Sequence, residues 1–126
     1  MPTAAPDPDR IPVVIASGQA LERQELVTPV DLMVRACESA LAGAPGLRCC
    51  VPEAGMFMLV DVRDTGLSGY DFMRGLYDAE RVSVLDGGAF GRETGGFVRL
   101  CFATDEAILR EACARMRRFV AGVRST

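Results

Sequence analysis

Val82 to Ala103 reads V-S-V-L-D-G-G-A-F-G-R-E-T-G-G-F-V-R-L-C-F-A, and its pattern is strand, glycine-rich loop, strand. Val82, Val84 and Leu85 make a short apolar, β-branched run. Gly87, Gly88, Gly91, Gly95 and Gly96 then interrupt, with Phe90 as the one aromatic among them. From Phe97 to Phe102 the chain is apolar except for Arg99. In strand geometry Phe97, Arg99 and Cys101 point one way and Val98, Leu100 and Phe102 the other. A guanidinium therefore sits mid-strand with apolar residues two positions to either side. If buried it needs an acceptor, because an unpaired buried charge is costly. A carboxylate suits its planar fork, which donates two parallel hydrogen bonds. Three placements stay open on this pattern: facing water on a half-exposed sheet, paired to an internal Asp or Glu, or reserved for a ligand. The glycine loop lacks both Gly-Lys-Ser/Thr and G-x-G-x-x-G, so it matches neither nucleotide-binding pattern.

Working outward, Pro52 to Gly55 reads as a turn and Met56 to Val62 as a strand. Phe57, Leu59 and Asp61 alternate with Met58 and Val60, which predicts a strand covered on both sides for most of its length. Leu47 to Pro52 is a short extended piece. Thr28-Pro29-Val30-Asp31 opens a helix, with Thr28 as N-cap and proline at the first helical position. Leu32, Met33, Ala36, Ala40 and Leu41 follow helical spacing until Gly43 or Gly46 ends the helix. Ser68-Gly69-Tyr70-Asp71 opens a second helix, which packs through Phe72, Met73, Leu76 and Tyr77. Thr104-Asp105-Glu106 caps a third, whose expected apolar face is Ile108, Ala112, Met116, Phe119 and Val120. Arg110, Arg115, Arg117, Arg118 and Arg124 populate its other side and its end, where a solvated, dipole-compatible face is the expectation. Residues 1–28 are set apart: Pro2, Pro6, Pro8 and Pro12 give a tail or linker composition, Ile11–Ala16 suits an edge strand, and Ser17–Val27 a short helix. The order α-β-β-α-β-β-α predicts an α+β, two-layer sandwich with a small, mostly antiparallel sheet and helices packed on one face.

At 126 residues the chain is the size of one domain, and its net charge of −3 argues against a nucleic-acid or anionic-membrane partner. No apolar run is long enough to span a bilayer. Five cysteines without zinc-like spacing point to a reducing, cytoplasmic compartment, with Cys37 and Cys113 as buried thiols and no metal site. All 14 basic residues are arginine, and there is no histidine. That excludes Ser-His and Cys-His catalysis and histidine-bound metals.

V-S-V-L-D-G-G-A-F-G followed by G-F-V-R-L-C-F-A, together with P-E-A-G-M-F-M-L-V-D-V upstream (52–62), resembles the C-terminal small domain of class I, fold-type I aminotransferases. Asp86-Gly87 stands where that family often has Pro-Gly. The resemblance runs from about Pro29 to Val123, which makes 29–126 the domain and 1–28 a divergent segment. It implies a fold with helices on one side of a small sheet, and it implies that Arg99 binds the α-carboxylate of an amino-acid or 2-oxo-acid substrate. It also implies that Phe90 and Gly91 belong to the cleft loop. R-D-T-G-L-S-G-Y-D-F-M (63–73) is similar to the arginine–pyruvate subgroup. The family uses pyridoxal phosphate (PLP), held by a lysine that this chain does not contain, so the chain is expected to bind no cofactor and to be inactive alone, as a fragment of a larger enzyme. A face left open by a missing large domain would favour a homodimer. The alternatives are a stand-alone carboxylate-binding module or a dimerisation module of the same fold.

Overall fold

The computed structural model describes residues 29–52 and 55–123. The expected Thr28 cap and the elements expected in 1–28 lie outside these residues. Three helices, α1 (Pro29–Leu41), α2 (Gly69–Glu80) and α3 (Glu106–Val123), pack on one four-stranded sheet. Its strands are β1 (Arg48–Cys50), β2 (Phe57–Asp61), β3 (Leu85–Asp86) and β4 (Phe97–Cys101), in the order β1-β2-β4-β3 with every pair antiparallel. This is the α+β architecture expected from the sequence.

Local chemistry explains most boundaries. The Ser68 hydroxyl accepts the Asp71 N–H at 3.1 Å and donates to the Asp71 carboxylate at 2.7 Å, so two early polar groups of α2 are satisfied reciprocally. Asp105, rather than Thr104, caps α3 by accepting the Ala107 N–H at 2.8 Å. α1 stops at Leu41, and Gly43 and Gly46 follow at φ 71° and 86°, a region glycine enters without steric cost.

The core lies between the inner face of the sheet and the helices. Met58, Val60, Val98 and Leu100 point into it from β2 and β4 and meet Phe72 and Leu76 of α2 and Leu109, Cys113, Met116 and Val120 of α3. Phe72 and Phe119 meet edge to face at 5.3 Å. Cys37 and Cys113 are buried free thiols, as expected, and the hydrogen bond between them, with burial second, pushes the Cys37 thiol up.

Several expectations need correction. β2 is covered on one side only: Met58 and Val60 are buried while Phe57 is exposed, because all three helices pack on the same face. The buried seam of α3 is Leu109, Cys113, Met116 and Val120, one position on from the expected Ile108–Ala112 start. Ile108 is left 63% exposed. Leu32 of α1 and Tyr77 of α2 are exposed for the same reason, as the seams run through Val34, Cys37 and Leu41, and through Phe72 and Leu76. β3 is shorter than Val82–Leu85. Val82 and Val84 still alternate inward, but ladder pairing stops at Leu85↔Arg99. Beyond it, Val82, Ser83, Leu100 and Cys101 line a cleft of about 640 Å³ with Ile108 and Ala112. Of the arginines expected there, Arg110 pairs with Glu106, Arg115 with Glu111 and Arg118 with Glu80, Arg117 donates to the Ala40 carbonyl, and Arg124 lies outside the described residues. That is the solvated face expected of them, with its charge answered by neighbouring acids.

Candidate functional site

The outer face of the sheet carries the chemistry. Cross-strand partners share a face, so Leu59, Arg99 and Leu85 lie side by side across β2, β4 and β3. Phe57 opposite Cys101, and Asp61 opposite Phe97, flank them on the same face. Arg99 thus stands in the middle of the sheet. β4 is hydrogen-bonded on both sides, to β2 and to β3.

The Arg99 guanidinium lies between two aromatic rings. Its Cζ is 4.1 Å from the centroid of Phe57, reached from the β2 side, and 4.0 Å from that of Phe90, reached from the loop after β3. Both separations are well inside the range of cation–π attraction. Among the described residues no carboxylate pairs with it, against the alternative of an internal salt bridge. Its Nε is buried and has no hydrogen-bond partner. A buried N–H without an acceptor costs free energy that a ligand oxygen could recover.

The glycine loop brings Phe90 to this place. The Asp86 carboxylate accepts the Gly88 N–H at 3.0 Å, turning the chain directly after β3. Thr94 Oγ1 lies 2.7 Å from the Gly87 carbonyl and 2.9 Å from that of Gly91, closing the loop on itself. A side chain at Gly87 would collide with the Thr94 and Phe97 carbonyls, so only glycine permits this closure. Gly91 then follows the exposed Phe90 ring.

A second arginine on this face is satisfied internally. Arg63 donates from Nε and Nη2 to the two oxygens of Asp61 at 3.0 and 2.7 Å, and its backbone N–H reaches Asp61 Oδ1 at 3.0 Å. Arg48 lies 3.8 Å from the same carboxylate. These cations, the Arg63 hydrogen bond foremost, hold Asp61 below the usual carboxylate range. Asp61 is only 6% exposed, an unusual depth for a carboxylate on the uncovered face.

The three residues singled out from the sequence, Arg99, Phe90 and Gly91, fall within this one place, and Phe90 touches Arg99 directly. Phe57 was not singled out. Its signal was the P-E-A-G-M-F segment, but its contact with Arg99 follows only from β2–β4 register, which sequence alone did not give. Chemically the arrangement is a binding device: a planar cation against two rings, with no catalytic base or nucleophile among its described partners. The about 640 Å³ cleft is a separate place that includes Cys101 but not Arg99. Among the described residues no group of His, Cys, Asp or Glu could hold a metal ion, and no helix is long and apolar enough to cross a membrane.

The family model for aminotransferases of class I and II matches residues 13–116. The chain belongs to that family. The match begins ahead of the Pro29 boundary expected from the sequence. Arginine–pyruvate transaminase AruH of Pseudomonas aeruginosa is 49% identical over 106 residues, covering 84% of this chain and 25% of that protein. Among solved structures, the aromatic aminotransferase of Pyrococcus horikoshii superposes with a TM-score of 0.71 at 30% identity, over 77% of this chain and 26% of that one. LysN, the α-aminoadipate aminotransferase of Thermus thermophilus solved with N-(5'-phosphopyridoxyl)-L-leucine, gives 0.65 at 25% identity, over 76% and 25%. This aminotransferase-family chain therefore spans about a quarter of the length of these relatives. Pyridoxal phosphate is the family's cofactor, but no lysine is present here to hold it as a Schiff base, so no step of its chemistry is assigned to these residues.

Proposed function

We propose that residues 29–126 act as the C-terminal small domain of a PLP-dependent amino-acid aminotransferase, with Arg99 binding the substrate α-carboxylate and Phe90 and Gly91 belonging to the cleft loop. The observation that carries this reading is the state of Arg99: a guanidinium on the open face of the sheet, ring-lined, with no internal carboxylate and an unpaired Nε. Its planar fork matches a carboxylate in geometry and charge. The likeness to arginine–pyruvate transaminase supports an amino-acid donor paired with a small 2-oxo acid such as pyruvate. Chemistry on the cofactor belongs to residues outside this chain. Alone it has no transaminase activity, and borohydride reduction with PLP leaves no pyridoxyl adduct on any side chain; mass mapping of such an adduct would contradict this.

Titration of pyruvate into the ¹⁵N-labelled chain tests the binding role. A charge-assisted pair is worth about 1.5–3 kcal/mol, and solvent on the open face screens part of it. Binding in the millimolar range is expected, weakened several-fold in Arg99→Lys by loss of the planar fork. Equal binding by wild type and Arg99→Lys would overturn the assignment.

A second reading, self-association, is supported by the apolar exposure of Phe57, Leu85 and Phe90 around Arg99. An isologous homodimer through this face is the expected form. Sedimentation that gives a monomer at high micromolar concentration would contradict it.

A further inference from the structure

We propose that Phe57 and Phe90 are positioning residues for the ligand carboxylate: their rings hold the Arg99 guanidinium in one place, ready to meet it. This rests on the reading of Arg99 as the carboxylate-binding group. An arginine is ordinarily oriented by the acceptors it donates to. Arg63, on the same face, is fixed in that way by both oxygens of Asp61. Among the described residues Arg99 has no such restraint, and its Nε has no hydrogen-bond partner there. The contacts that set its orientation are the two rings, 4.1 and 4.0 Å from Cζ.

Two physical consequences follow. Rings this close displace water from part of the guanidinium, while its planar fork keeps the geometry that forms parallel bonds to two carboxylate oxygens. The rings also hold the side chain in one orientation before the ligand arrives, so less rotamer entropy is lost on binding. Neither ring is needed by the core. Phe57 is 40% and Phe90 54% exposed, and both lie on the face away from the helices. The loop around Phe90 is closed by Thr94 and by the glycine at 87, so its ring is presented from a defined turn.

The test uses the full chain, ¹⁵N-labelled, with pyruvate as probe. An N–H held between two ring faces resonates upfield of an exposed arginine, and Arg99→Lys identifies the signal by its disappearance. Phe90→Leu, which removes the ring and keeps an apolar side chain, is expected to move the Arg99 Nε–H signal downfield and to weaken pyruvate about fivefold, the scale of one cation–π contact. Phe57→Leu should act in the same direction, and Phe90→Tyr, which restores a ring, should recover both signal and affinity. Unchanged affinity in both leucine variants overturns the proposal, whether or not the signal moves. Failure to recover affinity in Phe90→Tyr overturns it too. If pyruvate leaves the wild-type Arg99 signals untouched, it is the carboxylate reading itself that is overturned, and the two failures are told apart.

Discussion

Met58, Val60, Val98 and Leu100 point one way from β2 and β4 and lose nearly all contact with solvent; alternating with them, Phe57 and Cys101 stay exposed and Leu59 and Arg99 half-buried. The same two strands supply both sets, so the difference comes from what lies against each face. Three helices seal the inner side, and none covers the outer one. Within the outer face the contrast repeats between two arginines. Arg63 spends its donors on Asp61, whereas among the described residues Arg99 meets aromatic rings and no acid. An arginine whose fork is filled by its own chain holds structure in place. One whose fork is open, in a defined orientation, is suited to a ligand.

The sharpest way to break the contrast between faces is to truncate neighbours on β2. Met58→Ala removes a fully buried side chain and should cost about 2–5 kcal/mol in chemical denaturation. Phe57→Ala, one residue earlier on the exposed side, should cost far less. Equal losses would mean the outer face is as tightly packed as the inner one.

Asp61 tests the structural arginine. Asp61→Ala should destabilise by about 2 kcal/mol, the scale of hydrogen bonds to a charged group. Its folded pKa lies below the unfolded one, so its contribution is fully present above the ordinary carboxylate value, about 3.9. It is then lost as pH falls through the lower folded value. The gap between the denaturation midpoints of wild type and Asp61→Asn should therefore be constant from neutral pH to about pH 4 and narrow as pH falls from there to about pH 3. A gap that does not narrow below about pH 4 would refute the ion-pair account.

Much of this arrangement was legible in the sequence, for reasons that differ by element. The Ser68 and Asp105 caps announce themselves through short polar side chains just ahead of apolar periodicity. β4 was legible because a strict alternation runs between a glycine pair and a turn. Arg99 stood out as the one charge in that alternation. The length of β3 was not legible, since Val82 and Val84 keep the strand period without ladder partners. The rotation of α3 was not legible either: Ile108 and Leu109 are equally apolar, and only the neighbouring cleft decides which faces the core. The Phe57 contact depends on register between strands some 40 residues apart, information that no local pattern carries. Of the three placements open for Arg99, pairing with an internal acid is not met among the described residues, where Asp61 of the same face is held by Arg63.

The smallest expected stability effect is also the most telling. Arg99→Ala removes ring contacts and some stem packing but no ion pair, so chemical denaturation should show a loss of about 1 kcal/mol. That result is what the account predicts if the guanidinium serves a ligand rather than the fold. A loss beyond about 2 kcal/mol, toward the scale of a broken buried ion pair, would contradict it and make Arg99 a structural residue.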